Sequence, residues 1–116
     1  MSDEILSLKR LNVDIVKNFK YQVYDRNGST SFTISSGSFD LKRKSDGVSV
    51  DSGSVTPNNS DTDNSGNTIK TITFQVDTGI TDISTGPHNL DLLVELDTGE
   101  TKRFLVPVEI VDIREI

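Results

Sequence analysis

Two long runs of strict alternation near the C-terminal end constrain this chain more than any other feature. Within residues 86–113, His88, Leu90, Leu92, Val94 and Leu96 fall on one face of an extended backbone, and Asn89, Asp91, Leu93 and Glu95 on the other. After Asp97-Thr98-Gly99-Glu100 the pattern resumes, with Phe104, Val106, Val108 and Ile110 alternating with Leu105, Pro107, Glu109 and Val111. Successive side chains of a strand point to opposite faces. A period of two over both runs, joined by a Gly-bearing turn, therefore specifies a β-hairpin. It is the most apolar part of the chain, so it is expected to form the core ribbon, with Leu92, Val94, Phe104 and Val106 buried.

Shorter runs precede it. Leu11, Val13 and Ile15 alternate, although Ile5 and Leu8 sit at helical spacing. This reads as an N-terminal arm over residues 1–10 and a first strand over 11–16, opening a single domain that covers 11–116. Phe19, Tyr21 and Val23 give a second strand, closed by Asn27-Gly28, a pair that tolerates the positive φ of a tight hairpin turn. Phe32 and Ile34 form a short apolar pair that Ser35-Ser36-Gly37-Ser38 breaks. Phe39 and Leu41 open another strand over 38–44, Ser45-Asp46-Gly47 turns it, and Val48, Val50 and Val55 continue in extended form. Residues 57–68 carry no hydrophobic side chain and read as a long exposed loop or hairpin tip. Ile72, Phe74 and Val76 resume the alternation. Ile80 and Ile83, three apart, suggest one helical turn before Gly86-Pro87.

The sum is seven or eight short strands with regularly spaced turn signals and no segment that supports a ten-residue helix. That pattern indicates an all-β, antiparallel immunoglobulin-like β-sandwich. With 116 residues and 33% hydrophobic content, the core should be thin and the loops polar. The absence of Cys excludes disulfides and Cys-based metal sites. A net charge of −6 argues against a duplex nucleic-acid partner. No apolar run approaches the ~20 residues of a membrane helix, and the acidic start lacks the basic stretch of a secretory signal. The chain thus reads as made in a cytoplasm, with neither nucleic acid nor membrane as partner.

Four polar constellations invite chemistry. Asp61-Thr62-Asp63-Asn64-Ser65-Gly66 matches the first half of a calcium loop, but the position of the closing bidentate Glu holds Ile72. Asp-Thr-Gly occurs at 77–79 and 97–99. The first copy follows an apolar strand, as in retroviral-type aspartic proteases, where two such aspartates share a proton across a dimer. The chain has no Gly-rich flap to accompany it, and the second copy sits where a hairpin turn is needed. His88 is the sole histidine, which leaves no partner for a triad or zinc site, and it is expected to pack at a strand start. Lys42-Arg43-Lys44 could touch phosphate, but Asp40 and Asp46 flank it, as at a solvated strand end.

From Gly86 onward the chain resembles the small immunoglobulin-like modules of tailed bacteriophages, nearest to the N-terminal domain of phage baseplate upper proteins. In that family a Gly-x-Tyr-x-Tyr-Asp-Leu strand leads to a turn with Asp and Gly and a final long strand. Gly86, Asp91, Leu92, Asp97 and Gly99 stand at the matching positions, while His88 and Leu90 replace the two tyrosines. The strand from Phe19, the Asn27-Gly28 turn and Phe39-Asp40-Leu41-Lys42-Arg43 fit the same module. The resemblance implies a non-enzymatic virion component of the baseplate, tail, neck or capsid decoration. Such a protein has no cofactor, is assembled in the host cytoplasm, and contacts other virion proteins in a symmetric or homo-oligomeric arrangement. The end segments, with Ile5, Leu6, Leu8, Ile113 and Ile116, are the expected contacts, since apolar ends suit pairing with a neighbour's sheet edge. The alternatives are a carbohydrate- or cell-surface-binding module, which would need exposed aromatics, and an aspartic protease using Asp77.

The alternation predicts a far-UV circular dichroism spectrum with a single β minimum and helix below about a tenth, against the usual third. A strong helical double minimum would contradict the fold class.

Overall fold

The computed structural model describes residues 4–23, 31–79 and 83–112. Nine strands and no helix lie among them: β1 (Glu4–Ile5), β2 (Lys9–Asn12), β3 (Val16–Val23), β4 (Ile34–Arg43), β5 (Ser49–Ser54), β6 (Thr56–Thr62), β7 (Thr68–Asp77), β8 (Gly86–Leu96) and β9 (Thr101–Val111). β1 and β2 both run parallel to β9, with Ile5 opposite Leu105 and Leu11 opposite Ile110. Counted as one interrupted ribbon, they bring the total to eight.

Two sheets form. One has the order β1-β9-β8-β4-β5, with β2 also on β9, and the other is β3-β7-β6. The hairpin read from the sequence is β8–β9, paired antiparallel from Gly86–Ile110 to Glu95–Thr101. Its turn uses Gly99 at φ 87°, a left-handed conformation that a Cβ would strain. β8 buries His88, Leu90, Leu92, Val94 and Leu96 on one face, and β9 adds Val106, Val108 and Ile110. Across the gap, Phe19, Ile72, Phe74 and Val76 close the core. Phe74 meets Phe39 of the first sheet with ring centroids 5.1 Å apart.

Several boundaries differ from the sequence reading. The strand expected over 11–16 is β2, over Lys9–Asn12, because residues 13–15 carry the chain across to the other sheet, with Asp14 at φ 61°. The N-terminal segment pairs with this chain's own last strand, through β1 and the Leu6 N–H to the Leu105 carbonyl at 2.8 Å. Ser35-Ser36-Gly37-Ser38 does not break a strand: β4 runs through it with a register shift between Ile34 and Ser36. Gly37 is needed there because a Cβ would fall 2.5 Å from Val55 Cγ2 and 2.7 Å from the Leu93 carbonyl oxygen. The stretch 57–68 is a loop only at its tip. Its first part is β6, which pairs with β7 through the backbone ladder and polar side-chain contacts, Lys70 Nζ to the Asn59 carbonyl and Thr71 Oγ1 to Asp61, and so shows no apolar alternation. Asn59 ties β6 to the facing sheet, accepting from the Ile34 N–H at 2.8 Å and donating to the Ile34 carbonyl at 3.1 Å. The Asn27-Gly28 turn and most of the helical turn at 80–83 lie outside the described residues.

Phe104 is half-buried, unlike Leu92 at 1% exposure and Val106 at 0%. It stands near the β1 end of β9, against Leu6 and Tyr21 at the margin of the core. Leu92→Ala should therefore cost roughly 3–5 kcal/mol in urea unfolding. Phe104→Ala should cost less, about 1–2 kcal/mol, within the ordinary spread of single substitutions. Equal losses would place Phe104 in the central core.

Candidate functional site

The Asp-Thr-Gly motif at 77–79 closes the fold. Thr78 is 1% exposed. Its Oγ1 donates to the Asn12 carbonyl at 2.6 Å and accepts the Ile15 N–H at 3.0 Å. The main chain adds Thr78 N–H to the Ile15 carbonyl at 2.8 Å and Asp14 N–H to the Thr78 carbonyl at 3.2 Å. The crossover between β2 and β3 is thereby clasped to the end of β7. Asp77 Oδ1 accepts the Gly79 N–H at 2.7 Å, and the Asp77 N–H donates to Asp51 Oδ2 at 3.0 Å. The second copy is the β8–β9 turn. Asp97 accepts the Thr33 N–H through Oδ1 at 3.1 Å and donates its own N–H to the Thr33 carbonyl at 2.9 Å.

The half calcium loop is likewise occupied by the chain's own donors. Asp61 meets Lys20 Nζ at 2.8 Å and accepts from Thr71 Oγ1 at 2.9 Å and the Thr62 N–H at 2.9 Å. These contacts, Lys20 first, hold its carboxyl down to a pKa of about 2. Asp63 Oδ1 accepts the Asn67 and Ser65 N–H groups, each at 2.9 Å, and folds the tip of the β6–β7 hairpin. Its pKa is lowered, chiefly by the hydrogen bond from the Asn67 backbone. Among the described residues no group of three or more His, Asp or Glu gathers as a metal site.

The remaining sequence candidates are dispersed. Lys42 Nζ lies 3.3 Å from Asp91 and 3.8 Å from Asp40, and Arg43 is 3.1 Å from Asp46. His88 packs at the start of β8, as expected. Its Nδ1 lies 3.0 Å from the Gly86 carbonyl oxygen, while Nε2 is buried without a partner. Of the five expected contact residues, Ile5 is in β1, Leu6 is half-buried and Leu8 is 53% exposed. Ile113 and Ile116 lie outside the described residues.

The structure assembles one feature that the sequence reading missed. On one flank the two sheets end in β1/β2 and β3, and the seam between them is open. Its basic end is a groove of about 320 Å³ bordered by Lys9, Arg10, Lys17 and Lys20. Its other end is a hollow of about 80 Å³ among Leu6, Tyr21, Val23, Ile72, Leu92 and Phe104. The Tyr21 hydroxyl is buried there without a partner, and the loss of water raises its pKa. The one signal in the sequence was Lys17, which interrupts the inward series Lys17, Phe19, Tyr21, Val23.

No protein-family model matches this chain, and no curated protein matches its sequence.

The Lys20–Asp61 contact has a defined pH signature. The Asp61 pKa is depressed by folding, so the contact stabilises the fold above the unfolded carboxylate pKa of ~4. That contribution disappears as the pH falls toward 2. Lys20→Met should raise the Asp61 pKa toward the ordinary range and flatten the acid limb of stability. Carbon-detected NMR titration of Asp61 checks this; an unmoved pKa would assign the depression to the Thr71 and Thr62 hydrogen bonds.

Proposed function

We propose that this protein is an immunoglobulin-like, non-enzymatic structural component of a tailed phage or prophage virion that acts through protein–protein contacts. The observation that carries the reading is the strand order. A first ribbon parallel to the last strand, the antiparallel order β9-β8-β4-β5 beyond it, and a facing antiparallel sheet β3-β7-β6 support an immunoglobulin-like reading of the two sheets. The residues behind the phage resemblance occupy structural positions in that frame. Gly86 opens β8, Asp91 and Leu92 lie at its centre, and Asp97 and Gly99 make the turn into β9.

The surface chemistry supports a contact role over the alternatives. Both Asp-Thr-Gly copies serve connections between strands, with Thr78 turned into the protein. A sugar-stacking surface would need open aromatic rings. Phe19, Phe32, Phe39 and Phe74 are buried, and among the described residues only Tyr21 and Phe104 are partly open, both at the seam. Fold by itself does not fix function, so the strand order carries the sandwich reading, and the phage assignment adds to it the resemblance and this surface.

The test is physical association with particles. In density-banded virions from the source strain, mass spectrometry should find the protein at a fixed ratio to the major structural proteins, and a map of the particle should place its sandwich against a neighbour. Recovery only in the particle-free fraction would overturn the reading.

A further inference from the structure

We propose that the free edge of β3 accepts an extended segment of a partner protein, one that carries an acidic side chain and a bulky apolar side chain four residues apart. The proposal rests on the contact-module reading only in taking the partner to be a protein.

β3 pairs with β7 over eight residues in unbroken register, from Val16–Asp77 to Val23–Lys70, and with no other strand among the described residues. Its outer edge therefore offers a row of backbone N–H and C=O groups, the template on which strand addition works. The other outer strands are blunted. β6 contains Pro57 and a register shift between Asn58 and Asp61. β5 has six residues with Gly53 among them, and faces a shift between Leu41 and Lys42. β1 has two residues and β2 four. β3 carries neither Pro nor Gly nor a shift.

The side chains along this edge specify what can be added. Lys9 and Lys17 both border the basic groove, and neither has an ion-pair partner among the described residues, whereas Arg10 pairs with Glu109 and Lys20 with Asp61. Lysines on an edge strand repel a second copy of the same edge. An acidic segment reverses that sign, so the edge rejects itself and admits its complement. Four residues further along the same face, a distance of ~13 Å in a strand, Tyr21 borders the apolar hollow. One apolar side chain of the added segment fits there, beside a hydroxyl that has no acceptor. An oligonucleotide would satisfy the lysines but supplies neither the apolar side chain nor the amide ladder.

The immobilised full chain is screened with two pools of decapeptides. One has Glu at the third and Leu at the seventh position, the other has the reverse order, and the remaining positions are drawn from Ser, Thr and Val. One pool should be enriched over matched pools carrying Lys in place of Glu. The selected peptide should slow amide exchange in residues 16–23. Methylating its alternate backbone nitrogens in one phase, and not in the other, should abolish binding. Lys17→Glu should weaken binding roughly tenfold, about 1.4 kcal/mol, with Lys17→Gln intermediate, and both variants keeping the wild-type circular dichroism spectrum. No enrichment over the Lys pools, binding indifferent to both methylation phases, or equal competition by an oligodeoxynucleotide would each overturn the inference. Those results would leave particle association to be decided by its own experiment.

Discussion

The burial of one face of β8 is the constraint on which the rest of the structure depends. Its five inward side chains, from His88 to Leu96, are all nearly inaccessible, and the strand is flanked on both sides, by β4 and by β9. A strand so placed can shift neither way, because a slip of one residue would turn its entire apolar set toward water. β4 and β9 inherit their register from it, and β1 and β2 inherit theirs from β9. In a chain with only 33% hydrophobic residues, this strand buries Leu90, Leu92, Val94 and Leu96, more core hydrophobics than any other described strand.

That arrangement explains what could be read from the sequence. Where a strand buries one face, alternation is visible, so β3, β7, β8 and β9 were legible in Phe19, Phe74, Leu92 and Val106. β6 was not, because a polar edge strand held by backbone pairing and by Asn59 leaves no apolar period. The continuity of β4 through Ser35-Ser36-Gly37 was hidden for another reason. Gly37 reads as a breaker, yet it is the close approach of Val55 and the Leu93 carbonyl that calls for it. Phe104 fitted the alternation but stands where the facing sheet runs out, and sequence period carries no information about where a sheet ends. The basic and apolar ends of the seam come from different strands, so only the fold brings Lys9 to Lys17 and Leu6 to Tyr21.

The polar motifs teach a related lesson. Asp-Thr-Gly occurs twice, and in both places its hydrogen-bonding capacity goes to the backbone of a neighbouring segment: Asn12 and Ile15 for Thr78, Thr33 for Asp97. Asp61 and Asp63 are adjacent in the calcium-like pattern but serve different tasks, one bracing the outer face of β3 and β7, the other shaping a turn. Short acidic motifs are what tight connections require, and the number of connections in a small sandwich makes coincidental matches to catalytic loops frequent.

The parallel pairing of β1 and β2 with β9 has a mechanical consequence. Glu4 lies level with Phe104 and Asn12 with Val111, so the chain enters this ribbon at one end of the sheet and leaves it at the other. Tension applied along the chain would slide the two edges past one another lengthwise. Their hydrogen bonds would then be loaded in shear and share the force, instead of opening one at a time as in a peeled hairpin. The crossover clasp at Thr78 lies at the Asn12 end, where such a slide would first have to break it. A sandwich tied in this way transmits pull through its core before it unravels at its margin.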